Sequence, residues 1–370
     1  MERALARSRD RFSATRPSRR PIRLLIVDDS VIARAVLSRM IESDPAFEIS
    51  GVAGSGEAAI EALGEVRVDV VLLDLEMPGA GGLKLLPRII RAAAGAKVMI
   101  VSSLAEEGAE ETVAALAQGA ADTLPKPGTG RFNGRFSEIL LSRLKALGYA
   151  STAQPGASRP PDASVNVLLR PMPADPIDVL AIGASTGGIH ALGVLFQSLP
   201  AKIGVPILVT QHLPVPFVPV FARQLALAAK RETLVAEDGM RLLPDRIILA
   251  PGDSHLTVDS SGDSPVVALR AGRSASGCMP SLDPMFASVA ATFGCGALGV
   301  VLTGMGRDGV EGAMRLVATG GSVIAQDEAS SAVWGMPRAV LDAGLACAVM
   351  PPDKIARRIA SRTEEVPACK

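Results

Sequence analysis

The chain has no Cys-x-x-Cys pair: its four cysteines, Cys278, Cys295, Cys347 and Cys369, lie far apart. That spacing argues against a zinc knot or a redox couple and leaves buried small side chains plus a loose tail thiol as the expectation. No apolar run approaches the ~18 residues that span a bilayer, because charges or glycines interrupt every hydrophobic stretch. A soluble, cytoplasmic protein without membrane insertion is expected. The 38 basic residues match the 38 acidic ones, so no net charge draws the chain to nucleic acid or to an anionic surface. A protein or a small neutral substrate fits better. Histidine is also scarce, with only His190, His212 and His255 available for acid–base work.

At 370 residues the chain is longer than one hydrophobic core usually serves, so two domains are expected. Residues 1–20 carry seven arginines among Ser and Ala with few acids, a composition that cannot build a core. A loose tail is expected there, and no function is assigned to it. From 21 to 148, β-rich apolar runs alternate with amphipathic helical stretches. The runs are 23–27, 48–53, 68–73, 97–101 and a weak one near Thr123, a pattern that implies parallel strands with helical crossovers. Residues 149–176 turn to Ser, Ala, Asp and Pro and read as a semi-rigid linker. The alternation resumes from 177 to 370, with 179–182, 206–210 and 297–302 as buried parallel strands. Residues 246–270, with turns at Pro251-Gly252 and Ser261-Gly262, read as an antiparallel hairpin set added to that sheet. The fold class is therefore α/β twice over: a doubly wound parallel sheet, then a second, mostly parallel one with a hairpin.

Ligands of open parallel sheets bind beyond the carboxyl ends of the strands. In the first half, Asp28-Asp29 follows the first strand, Asp74 the third, Ser102 the fourth and Lys126-Pro127 the fifth. Clustered carboxylates repel one another, and a hard cation such as Mg²⁺ relieves that repulsion by taking oxygens from Asp29 and Asp74 with Asp28 close by. Asp74 then remains a usable nucleophile toward a phosphodonor, with Lys126 and the cation stabilising the transferred group and Ser102 able to bond its oxygen. A lone Asp after a strand is usually a helix cap; polar residues of this kind at the ends of four of the five strands are not so easily explained. These residues resemble the response-regulator receivers, flavodoxin-like doubly wound domains. Their acidic pair, phospho-acceptor, switch hydroxyl and lysine fall on Asp28/Asp29, Asp74, Ser102 and Lys126. Two positions depart from that pattern. Met77-Pro78 is followed by Gly79-Ala80-Gly81-Gly82 in place of an early Asp, and Thr123 stands where receivers commonly have an aromatic switch.

In the second half, Gly183-Ala184-Ser185-Thr186-Gly187-Gly188 joins a strand to a helix. A tight turn there holds Ser185 Oγ at the sheet edge beside helix N-terminal N–H groups. Such a loop can also cradle phosphate, but the P-loop lysine and an acidic ribose partner are absent, and Gln211-His212 stands where the latter belongs. His212 directly follows the next strand, at the same sheet edge, and suits a general base. His190 reads as packed or solvated, and His255 as structural. Beyond the third strand, Thr303-Gly304-Met305-Gly306-Arg307-Asp308-Gly309 carries an acid that can orient His212, or simply cap the next helix. The Met305 N–H can donate to an oxyanion.

Taken with Glu237-Asp238-Gly239, Ala250-Pro251-Gly252, Gln326-Asp327-Glu328 and Gly335-Met336-Pro337, these motifs resemble the chemotaxis protein-glutamate methylesterases, the CheB family, over residues 177 to about 359. Leu213, where that family usually has Met, is a small departure. A receiver ahead of the esterase domain is also that family's architecture. The resemblance implies a serine hydrolase with Ser185, His212 and Asp308 as its triad and no metal in that step. Its substrates would be methyl-esterified glutamates of chemoreceptors, with deamidation of receptor glutamines as a second reaction. A chemotaxis histidine kinase would phosphorylate Asp74, and a monomer is expected. An esterase acting on a different ester, or a non-enzymatic phosphate sink, are the competing readings.

Overall fold

A computed structural model describes residues 20–79, 81–102, 106–126, 134–151, 169–173, 175–260, 262 and 264–363. The arginine-rich start, most of the Pro-rich segment, Pro127, Ser261, Cys369 and the side chain of Ser102 lie outside the described residues.

The first sheet comprises β1 (Ile22–Val27), β2 (Phe47–Ala53), β3 (Val70–Leu73), β4 (Lys97–Ser102) and β5 (Asp122–Pro125). Between and after them run α1 (Val31–Glu42), α2 (Gly56–Glu65), α3 (Gly82–Ala92), α4 (Glu106–Ala117) and α5 (Gly134–Ser151). All its pairings are parallel and its order is β2-β1-β3-β4-β5. Helices on both faces explain why β3 alternates nothing: Val70, Val71, Leu72 and Leu73 are all buried. The chain reverses direction across the sheet between β1 and β3, so a crevice opens where those two strands end. Ser30 and Ser55 cap α1 and α2 by accepting from Ala33 and Ala58 N–H, and so fix where each helix leaves its strand.

The second sheet is larger. Its strands are β6 (Val179–Ala184), β7 (Ile207–Gln211), β8 (Thr233–Val235), β9 (Ile247–Leu249), β12 (Ala297–Val301), β13 (Ser322–Gln326) and β14 (Ala348–Met350), in the order β14-β13-β12-β6-β7-β9-β8, all parallel. The remaining pair, β10 (His255–Asp259) and β11 (Val266–Arg270), is antiparallel and forms a separate two-stranded sheet. The sequence reading of 246–270 is corrected on this point. Only the 247–249 segment joins the main sheet, and it does so as a parallel strand, while the hairpin packs on a helix of the same half. The helices are α6 (Gly188–Ser198), α7 (Val218–Ala229), α8 (Leu282–Phe293), α9 (Val310–Ala318), α10 (Met336–Asp342) and α11 (Pro352–Ala360). Every residue of β6, β7, β12 and β13 is buried, as a strand covered on both faces requires. The short strands β8 and β14 escape the sequence pattern because three residues carry too little periodicity.

The switch point of this second sheet lies between β6 and β12, the first strand of each winding direction. Phe286 of α8 is fully buried beneath it, and a Cβ added at Gly312 of α9 would fall 2.6 Å from its Cβ. The two helices interlock because Gly312 leaves that space. No helix among the described residues is long and apolar enough to cross a membrane. Phe286→Ala should destabilise the fold by about 3–5 kcal/mol through the cavity it leaves. Urea unfolding measures this, and a loss under about 1 kcal/mol would mean that α8 and α9 collapse freely onto each other.

Candidate active site

At the crevice of the first sheet, Asp28 and Asp74 are buried and Asp29 is exposed, and one oxygen of each lies within 4.8 Å of the others. Lys126 Nζ sits 2.6 Å from Asp74 Oδ2 and 3.0 Å from Asp28 Oδ2. Backbone bonds fix the rest: Ser30 N–H donates to Asp28 Oδ1 and Glu76 N–H to Asp74 Oδ1. Burial raises the Asp74 carboxyl above its usual range against the pull of Lys126, and the Asp28 charge adds to the rise. Asp28 Oδ2 is buried with the Lys126 ammonium as its one partner. Three converging carboxylates served by a single ammonium form a donor set of the hard-oxygen kind that Mg²⁺ takes.

The second crevice collects Ser185 from the end of β6, His212 from the end of β7 and Asp308 from the loop after β12. Ser185 is held by its backbone: its N–H donates to Thr303 O at 3.0 Å, and its carbonyl accepts from Gln211 Nε2 at 2.9 Å. A Cβ at Gly304 would lie 2.7 Å from Ser185 Cβ, so the two loops approach this closely only because Gly304 has none. Gly187 sits at φ +77°, the left-handed turn that starts α6. His212 Nε2 donates to Asp308 Oδ2 at 2.8 Å. The same carboxylate accepts Leu282 N–H at 2.8 Å, Ser276 Oγ–H at 2.7 Å and Ser281 Oγ–H at 2.5 Å. Asp308 is 1% exposed, so all four donors stabilise a charge that water does not reach. Burial alone would raise its carboxyl, but His212 and these donors hold it well below the usual carboxylate range.

Asp308 is thus no helix cap. Gly309 takes the cap position of α9, and Asp308 faces the first turn of α8, whose N-cap is Ser281. Asp283, in the first turn of α8, is raised by burial and by the Asp308 charge beside it. Ser185 Oγ makes no hydrogen bond among the described residues, although Ser185 and His212 line one cavity of about 270 Å³. Such contacts are commonly long before substrate arrives. The N–H of Met305, also on the cavity wall, donates to no acceptor among the described residues.

The remaining histidines separate cleanly. His255 is buried, accepts Ser281 N–H on Nδ1 and lies 3.1 Å from Gly272 O through Nε2, a structural role. His190 Nδ1 lies 3.1 Å from Ala117 O, at the end of α4, so it bridges the two halves. The cysteines need correction: Cys295 is exposed, Cys347 is buried, and Cys278 is half-buried on the cavity wall. Cys278 Sγ, a ring nitrogen of His212 and an Asp308 oxygen lie within 4.8 Å of one another. Nothing in the sequence pattern marks Cys278, because it comes from the loop before α8 rather than from a strand end. Burial lowers the His212 pKa, but Asp308 and Cys278 outweigh it and raise it to about 9.

Two parallel sheets, one with an acid–lysine crevice and the other with Ser185, His212 and Asp308 gathered at its switch point, give the chain a receiver-like half followed by a second α/β half. The family model described as CheB methylesterase matches residues 180–359, and that of the response regulator receiver domain matches 24–131. A protein-glutamate methylesterase/protein-glutamine glutaminase of Caulobacter vibrioides is 42% identical over 351 residues, spanning 93% of this chain and all of its own. One of Paramagnetospirillum magneticum is 37% identical over 364 residues, spanning 92% and 96%. The catalytic domain of the Thermotoga maritima CheB methylesterase is 33% identical, covering 50% of this chain and 97% of its own, with a TM-score of 0.49. The chain belongs to the CheB methylesterase family.

The imidazole of His212 should titrate near pH 9, and Asp308→Asn should lower that midpoint because it removes the carboxylate that favours imidazolium. Cys278→Ser should lower it too. Proton NMR of the ring C–H reads both, and a midpoint unmoved by Asp308→Asn would contradict the bond as the cause.

Proposed function

We propose that the chain is a phosphorylation-regulated serine hydrolase that removes methyl groups from glutamate 5-methyl esters of chemoreceptors and deamidates receptor glutamines. The observation that carries this reading is the buried Asp308–His212 bond beside Ser185, at the switch point of a family methylesterase sheet. Ser185 Oγ attacks the γ-carbonyl of the esterified glutamate while neutral His212 takes its proton. The tetrahedral oxyanion faces the Met305 N–H and the start of α6, whose aligned peptide dipoles favour negative charge. His212 returns the proton to the leaving methoxide, methanol departs, and an acyl-enzyme remains. Water, deprotonated by His212, then hydrolyses the ester of Ser185 and leaves the glutamate carboxylate. With a glutamine side chain the leaving group is ammonia. Asp308 keeps the imidazole in one orientation and stabilises it when protonated. Since the neutral form is the base and His212 sits near 9, the rate should rise with pH toward that value.

Asp74 is the phospho-acceptor, and a histidine kinase of the chemotaxis pathway is the donor. Asp28, Asp29 and Asp74 would hold Mg²⁺, which neutralises charge on the phosphoryl group when bound. Lys126, already against Asp74, stabilises the same group, and Ser102 is the switch hydroxyl. Phosphorylation releases the receiver from the esterase cavity, one wall of which is receiver: Leu116, Ala121, Asp122, Thr123 and Arg143 line it.

Methanol release from methyl-esterified receptor membranes tests the first part. Ser185→Ala should lower it by roughly 10⁴-fold or more, and full activity in that variant would exclude Ser185 as nucleophile. For the second part, acetyl phosphate with Mg²⁺ should stimulate the wild type but not Asp74→Ala. Equal stimulation of the two would remove Asp74 from the mechanism.

A further inference from the structure

The start of α6 is already occupied. Gly187 N–H donates to the Ala121 carbonyl at 2.6 Å, and Thr186 Oγ1 donates to Asp122 Oδ2 at 3.0 Å. Both acceptors come from the receiver, and both donors directly follow Ser185 in the chain. Asp122 does not arrive there by chance of a long side chain. Its other oxygen is held by Arg143 Nη1 at 3.0 Å, and the same guanidinium donates to Thr123 O at 2.5 Å. Thr186 is 9% exposed, so its hydroxyl is aimed into the interface with this carboxylate as its acceptor. Val333 shares an apolar cluster with Ala121 and Leu124 and fixes the same edge of the receiver against the loop.

We propose that Thr186 Oγ1 and Gly187 N–H form a carboxylate- and carbonyl-binding subsite of the esterase, and that the resting receiver fills it with Asp122 and Ala121 as an internal product mimic. The chemistry matches: the reaction turns a neutral ester into a side-chain carboxylate, and Asp122 presents a side-chain carboxylate one residue from the Ser185 turn. The receiver therefore competes with substrate for two named donors rather than merely covering the cavity. Strand β5 also gives a short route for release. Asp122 begins the strand and Lys126 directly follows it, with Lys126 bound to Asp74 and Asp28 at the phosphorylation crevice. A pull on Lys126 from a phosphoryl group on Asp74 acts on the strand that carries Asp122. Thr123, where an aromatic switch is missing, is buried with its hydroxyl unbonded, so the strand is held at that point through its carbonyl, by Arg143, and not through its own side chain.

This rests on the proposed methylesterase reading, and the test uses the full chain with methyl-esterified receptor membranes. Unphosphorylated Asp122→Ala should release methanol about ten-fold faster than the wild type at sub-saturating substrate, the cost of one charge-assisted hydrogen bond. Asp122→Asn, which keeps the shape, should give a smaller rise in the same direction. Thr186→Val, assayed with beryllofluoride and Mg²⁺ to displace the receiver, should raise KM several-fold with less change in kcat. It should also weaken inhibition by added glutarate, the probe for the carboxylate product. Basal rates of Asp122→Ala and Asp122→Asn equal to wild type would overturn the latch. Unchanged KM and glutarate inhibition in Thr186→Val would overturn the subsite. If instead methanol release does not depend on Ser185 in any variant, it is the methylesterase reading that falls.

Discussion

A carboxylate buried to 1% exposure needs donors on every side, and Asp308 organises the second half of the chain around that need. Its partners come from three places: His212 after β7, Ser276 and Ser281 before α8, and the N–H of Leu282 in the first turn of α8. One charge therefore orients the imidazole, anchors the loop that carries Cys278, and ties α8 to the loop after β12. Removing the carboxyl would leave several buried donors without acceptors, and that loss exceeds any single bond. The same demand explains the glycines nearby. Gly304 must let the β12 loop pass against Ser185, and Gly309 must turn at φ +94° so that α9 starts immediately after the acid.

The two sheets solve one topological problem twice. Each begins with a central strand and winds outward in both directions, so its polar residues gather at the ends of two adjacent parallel strands. In the first sheet the crevice collects carboxylates and an ammonium; in the second it collects a hydroxyl, an imidazole and a carboxylate. Charge density separates their chemistry. Asp28, Asp29 and Asp74 converge on one point, and Lys126 brings one positive charge to them. Asp308 stands with a single imidazole and neutral donors, so it remains ionised without a metal.

This logic is why much of both sites was legible in the sequence. Asp28, Asp29, Asp74, Ser185, His212 and Asp308 lie just past strand runs of clear apolar character, Lys126 lies past a weaker one, and strand ends converge in a parallel sheet whatever the details. What was not legible follows a different rule. Cys278, Ser276 and Ser281 reach the site from a loop before α8, and nothing local reports where that loop folds back to. The hairpin was assigned to the main sheet because alternation reports strands but not their partners. The contacts of Asp122 with Thr186 and of His190 with Ala117 join residues on separate sheets, and neither sheet's pattern contains the other's surface. Thr123 was noticed only as a missing aromatic, although its carbonyl, held by Arg143, helps place Asp122.

A contact that phosphorylation must undo has to be weaker than the change phosphorylation can impose. Taking a docked state from 99:1 to 1:99 requires about 5.5 kcal/mol. An interface built like a domain core would exceed that comfortably and stay shut. Among the described residues the polar contacts between the halves are single hydrogen bonds, Gly187 to Ala121, Thr186 to Asp122, and His190 against Ala117, beside an apolar seam in which Val333 clusters with Ala121 and Leu124. The Arg223–Glu110 pair is exposed on both sides, a setting in which ion pairs contribute about 0–1 kcal/mol. Polar contacts of this kind also lose little when broken, because water replaces each partner once the cavity opens. The Asp122–Thr186 bond lies beside Ser185, and the strand that carries Asp122 leads directly into Lys126. With directional contacts next to Ser185, joined by the four residues of β5 to the acid–lysine crevice, a modest shift at one sheet would be enough, on the proposed mechanism, to decide access at the other.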